Sequence, residues 1–140
     1  MIASHPHERF SARIALHPET VSAFASAAGD FNPLHHDAQF AATTRFKRPL
    51  ASGTQTTAQL MALTATHFAK RGAMLGLEFW FRFNKPVYAD ETIDLEWLIV
   101  SVKKTSRRDG EIIDLRGRLR TQHGETAVGA KGRVLVTEYL

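Results

Sequence analysis

The sequence predicts an α+β fold, one domain in which a curled antiparallel sheet wraps a long apolar helix. Three observations carry this. Helical signals fill residues 18–70. From Leu77 onward the apolar period changes to two and recurs in four long segments. The stretch "TQTTAQLMALTATHFAK" (54–70) is almost free of charge, as a helix inside a structure should be. Four antiparallel strands with one apolar face need a cover, and that helix is the simplest one. The 140 residues suit a single domain spanning 1–140.

The elements follow in order. "FSARIAL" (10–16) reads as a short strand. "HPETVSAFASAAGD" reads as a helix: Pro18 suits its first position and Glu19 the positive end of its dipole. Val21, Phe24, Ala25 and Ala28 form one apolar face, and Gly29 stops the helix. "DAQFAAT" (37–43) is a second short helix capped by Asp37. In the long apolar helix, Met61, Ala65 and Phe68 mark one face and Leu60 and Leu63 another. The strands are read from alternation: Leu77, Phe79, Phe81, Phe83; then Ile93, Leu95, Trp97, Ile99; then Ile113, Leu115, Gly117, Leu119; then Val128, Ala130, Gly132, Val134, Val136. "KKTSRRDG" (103–110) reads as a solvated hairpin turn.

Composition narrows the function. Eighteen Lys and Arg against fourteen Asp and Glu give a net charge of +4. That suits a small phosphorylated ligand such as coenzyme A as well as it suits nucleic acid. No aromatic residues interleave the densest basic run, so a nucleic-acid groove is not expected. The absence of cysteine excludes disulfides and thiolate metal sites and fits a reducing compartment. No window reaches the roughly 20 apolar residues of a membrane span. The start "MIASHPHERF" lacks the basic-then-apolar pattern of a signal peptide. A cytoplasmic protein is expected.

The chemistry concentrates in "GDFNPLHHD" (29–37), which places Asp30, Asn32, His35, His36 and Asp37 within eight residues. Pro33 fixes its own φ and restricts Asn32, a stiff turn that folds Asp30 and His35 toward one another. An Asp and a His can share one water and divide the proton work. Gly53 opens the apolar helix, where a backbone N–H can serve a developing oxyanion and no Cβ obstructs a ligand. Each residue also has a plainer reading. Asp30 suits an Asx-turn, Asn32 a loop-fixing bond, His36 and Asp37 structural roles, and His67 a packed or rim position. Consecutive histidines cannot easily both point at one ion in so short a loop, and no metal is expected.

The run Asp30, Phe31, Asn32, Pro33, Leu34, His35 resembles the active-site loop of the MaoC-like dehydratases, also called R-specific enoyl-CoA hydratases. The likeness continues through "AQFAATTRFKRPLASG" and "LEFWFRFNKPVYADETI" and covers nearly everything from residue 18 onward. It implies a hotdog fold. It implies reversible hydration of trans-2-enoyl-CoA to (R)-3-hydroxyacyl-CoA, with catalytic Asp30 and His35 activating water. It also implies an oxyanion and substrate-binding set of Gly53, Asn32 and Ser52. No cofactor is expected, a coenzyme A or acyl-carrier-protein thioester being the substrate, and the resemblance implies a homodimer at least. The chain departs from the pattern at Ser52-Gly53, where His-Gly is common, at Met61, where several hydratases carry Ser, and at Ala89-Asp90, where Gly-Asp is usual.

Two rivals share the fold. One common hotdog thioesterase plan uses an acidic residue on the central helix, and none lies between Gly53 and Phe68. A non-catalytic acyl-CoA-binding subunit would bind acyl-CoA without turnover.

Overall fold

The structure, a computed structural model, describes residues 3–106 and 110–138. Strand β1 (Arg9–Ala15) leads into α1 (Pro18–Ala27), a 3-10 turn (Pro33–His35), α2 (Ala38–Ala42) and α3 (Gly53–Ala69). Then come β2 (Ala73–Phe83), β3 (Thr92–Thr105), β4 (Gly110–Arg120) and β5 (Thr126–Thr137). They form one sheet in the order β1-β3-β4-β5-β2, every pairing antiparallel. The four long strands expected are β2 to β5. The short 10–16 segment is β1, which covers the outer edge of β3 with Ile14 opposite Ile93 and Phe10 opposite Trp97. The tip of the predicted 103–110 hairpin lies outside the described residues. No helix among the described residues is long and apolar enough to cross a membrane.

Alternation aims one face of each central strand inward. Ile93, Leu95, Trp97, Ile99, Ile113, Leu115, Leu119, Val128, Val134 and Val136 are all buried. Strand β2 keeps the period less cleanly because it is an edge strand with a bulge. Leu77 is the extra residue between Gly76 and Glu78 in the pairing with β5, and it is exposed rather than inward. Beyond it Phe79 and Phe81 pack against the core, while Phe83 stays exposed.

Helix α3 lies on the inner face of the sheet. Its core stripe is Thr56, Leu60, Thr64 and Phe68, all buried. The predicted pairing of Met61 and Ala65 with Phe68 on one buried face is corrected: Met61 is 40% exposed and Ala65 is exposed. Small and apolar residues on both sides hid the polarity of the helix, which leaves one flank open in the protomer. Trp97 ties α3 to the sheet. Its indole is fully buried and Nε1–H donates to the Leu60 carbonyl at 2.9 Å. The ring fits because β4 has no side chain at Gly117, directly opposite Trp97 in the register. A Cβ there would stand 2.5 Å from Trp97 Cε3.

A polar knot fastens the far end of α3. His67 Nε2–H donates to Glu8 Oε2 at 2.9 Å, and the Arg71 guanidinium bonds Glu8 and reaches Ser4 Oγ at 2.8 Å. The His67 ring stacks on Phe10 at 3.8 Å. Burial pushes the Glu8 carboxyl up, but the hydrogen bonds from Arg71 and His67, with their charges, hold it below the ordinary glutamate range.

Candidate active site

The loop that follows α1 is shaped by its own side chains. Gly29 takes φ +81°, which turns the chain out of the helix at little steric cost. Asp30 Oδ1 accepts from the Asn32 N–H at 3.1 Å, and Asn32 Oδ1 caps the 3-10 turn by accepting from the Leu34 N–H at 3.1 Å. Both local readings of these residues thus hold as geometry. Asp37 caps α2 by accepting from the Gln39 and Phe40 N–H groups. These bonds leave Asp30 Oδ2 free of the turn and bring it 3.4 Å from His35 Nε2.

His35 is held from the other side. Its Nδ1 lies 2.7 Å from the Leu50 carbonyl, which can only accept, so Nδ1 carries the proton in the neutral ring. Nε2 then presents its lone pair toward Asp30. The residue is 9% exposed, while Asp30 remains half-buried. Two acceptors at 3.4 Å do not bond each other directly, but a water lying beside both can donate one O–H to each. Among the described residues no group of three or more His, Asp or Glu is arranged to hold a metal ion.

Leu50 belongs to an extended segment pinned on both sides. Its N–H donates to the Leu34 carbonyl at 2.9 Å, the Ala51 N–H to Val87 at 2.8 Å, and the Ala89 N–H to Pro49 at 3.0 Å. The same segment runs into Ser52 and Gly53, so the His35 turn and the start of α3 share one support. Ser52 is fully buried and is the N-cap of α3, its Oγ accepting from the Gln55 N–H at 3.1 Å. The Gly53 N–H has no protein acceptor among the described residues and sits at the positive end of a 17-residue helix. A cavity of about 330 Å³ opens beside it, lined by Leu50, Thr56, Phe83, Val87 and Val128, with Arg45 and Lys85 also on its wall. Asp30 and His35 do not line this cavity; Leu50 links them to it. The Phe83 ring rests on Gly53, its Cε1 only 3.0 Å from where a Cβ would stand.

The geometry therefore brings Asp30 and His35 together and sets Gly53 at an open helix start. It uses Asn32, at the surface, and Ser52, buried, as caps. Reasoning from sequence missed two contributors. The Leu50 carbonyl leaves no trace in residue type. Phe83 was read as one member of a strand. His36 has the structural role expected of it: Nε2–H donates to the Asp30 carbonyl at 2.8 Å and Nδ1 accepts from Ser22 Oγ at 2.6 Å, tying the loop to α1. The Ser22–His36 pairing joins two elements, so no local spacing could have announced it.

Comparison with known proteins places the chain in a family. A family model described as MaoC like domain matches residues 3–116. An (R)-specific enoyl-CoA hydratase of Aeromonas caviae is 35% identical over 109 residues, 77% of each chain. Among solved structures, an (R)-hydratase from A. caviae involved in PHA biosynthesis superposes with a TM-score of 0.85 and 28% identity, over 94% of this chain and 96% of that one. An unliganded R-hydratase from Pseudomonas aeruginosa matches with a TM-score of 0.85 and 25% identity, over 96% and 83%. The sheet curled around α3 is a hotdog fold, and the chain belongs to the MaoC-like dehydratase family.

Proposed function

We propose that this protein reversibly adds water to a trans-2-enoyl thioester of coenzyme A, giving the (R)-3-hydroxyacyl product. The observation that carries this reading is the approach of Asp30 Oδ2 to His35 Nε2 at 3.4 Å, with the ring held in one tautomer by the Leu50 carbonyl. The water takes its place against both acceptors. Its oxygen bonds to carbon 3 as the Asp30–His35 pair takes one proton, and the π electrons move toward the thioester oxygen. The free Gly53 N–H, at the positive end of α3, receives that charge. Because Nδ1–H is committed to Leu50, Nε2 of the neutral ring has to receive a proton before it can give one. The proton taken from water is the one returned to carbon 2, so atoms balance with no cofactor. Asn32 and Ser52 act indirectly here, holding the loop and the helix start.

The cavity beside Gly53 is the candidate entry for the thioester, and Arg45 and Lys85 suit its phosphates. Lys85 is also paired with Glu125. The chain acts as one domain and as a homodimer at least. Support for the dimer comes from the unpaired outer edge of β2 and from exposed Leu77, Met61 and Ala65 beside it. A monomer in sedimentation at micromolar concentration would remove that part.

The test of function is a screen of 2-enoyl-CoA esters from short to long, with thioester hydrolysis followed in parallel. Hydration without hydrolysis is expected. Hydrolysis alone would favour a thioesterase, and binding without turnover an acyl-binding subunit.

A further inference from the structure

The outward face of the sheet carries a feature that the hydration chemistry does not use. Cross-strand neighbours form rows there. One row runs Arg9, Leu98, Arg116, Lys131, Trp80 across all five strands. Arg116 and Lys131 are register partners, like charges facing one another, an arrangement that costs stability. Neither makes an ion pair with a carboxylate among the described residues. In the next row Arg133 is bonded to Asp114 at 2.7 Å and paired with Glu78 at 3.5 Å. Beyond it lies an outward apolar row of Leu75, Leu135 and Ile112, with Lys103 at its end.

Between the first two rows the surface sinks into an open cleft of about 600 Å³, lined among others by Trp80, Val100, Arg116, Lys131 and Arg133. Trp80 is 48% exposed. Val100, pushed out by the bulge between Ile99 and Ser101, is 47% exposed. Large apolar side chains held among unpaired cations are the composition of a contact surface.

We propose that this cleft docks an acidic protein segment, whose carboxylates reach Arg116 and Lys131 and whose apolar side chain enters between Trp80 and Val100. Charge selects the occupant. Arg82, Lys103, Arg116, Arg118, Lys131 and Arg133 outnumber Glu78, Glu96 and Asp114 on these rows, so a second copy would bring cations against cations. Pairing of β2 with another copy happens in the plane of the sheet and leaves this face open.

The probe is a labelled amphipathic peptide with glutamates flanking a leucine stripe, compared with its glutamine counterpart by fluorescence anisotropy on the full chain. The glutamate peptide saturates and the glutamine peptide does not. Arg116→Gln with Lys131→Gln, and separately Trp80→Ala, weaken binding at least tenfold, and added salt weakens it further. Hydration of enoyl-CoA is unchanged in these variants. The Gln pair melts no lower than wild type, since it removes a like-charge contact. No saturable binding of the glutamate peptide overturns the proposal. So does wild-type affinity in both variants, or tighter binding of duplex DNA or phosphatidylglycerol vesicles through the same residues.

Discussion

Gly117→Ala tests how α3 is held on the sheet. Gly117 does not occupy the left-handed region, so alanine meets no backbone strain. It meets Trp97 instead. Its Cβ would lie 2.5 Å from Cε3 and 2.7 Å from Cδ2 and Cζ3, against a normal carbon separation of about 3.5–4.0 Å. The indole would have to withdraw by roughly 1 Å. It is 1% exposed and has nowhere to go. Overpacking of this kind costs about 1–3 kcal/mol. Strain on the Nε1–H bond to Leu60 adds about 1 kcal/mol. The reduced freedom of the unfolded chain returns about 0.4–1 kcal/mol. The net loss is about 1–3 kcal/mol, a fall in Tm of roughly 3–9 °C. Gly129→Ala, on the outward face with no atom within 4 Å of its Cβ position, is the control. It should keep or gain about 0.4–1 kcal/mol. Thermal melts by circular dichroism read both. If Gly117→Ala melts as high as Gly129→Ala, Trp97 does not lock the helix as described.

Two further perturbations follow from the same geometry. Ser52→Ala removes the α3 cap and should cost about 1 kcal/mol, with kcat falling more than KM rises because the Gly53 amide loosens; Ser52→Thr should restore most of both. Unchanged stability in the alanine variant would deny the cap. Glu8 is held below its ordinary range, so its contribution is present at neutral pH and lost as pH falls below about 4.3 and through its lower folded-state value. Glu8→Gln should be less stable at pH 7 and should lose less on acidification, measured by denaturant unfolding across that range. Equal pH slopes for the two proteins would refute this.

What the sequence made legible was what is local or periodic. The inward sets of β3, β4 and β5 follow from alternation, and Asp37, Gly29 and Pro18 mark helix ends by their own chemistry. Edges were harder. Whether 10–16 pairs at all depends on β3 having an open side, which no local pattern states. A bulge moves Leu77 outward without changing its residue type. The faces of α3 were blurred because alanine and threonine sit on both. In the candidate site, the Asn-Pro spacing implied that Asp30 and His35 meet. The tautomer of His35 depends on a backbone carbonyl fifteen residues away, and only the fold reveals it. His36 bridges Ser22 and the Asp30 carbonyl, so its loss would loosen the turn that carries Asp30.

The most direct measurement is hydration of a trans-2-enoyl-CoA by wild type and Asp30→Asn, with the hand of the product determined. Asparagine keeps an oxygen for the Asn32 N–H, so the turn should survive the change. Wild type should give the (R)-3-hydroxyacyl product. The variant, folded to the same melting profile, should lose kcat by on the order of a hundredfold or more, as the loss of a general base does. His35→Ala should do the same, and the double variant little worse than the poorer single one, because the two act on one water. A correctly folded Asp30→Asn protein that hydrates at the wild-type rate would contradict the account.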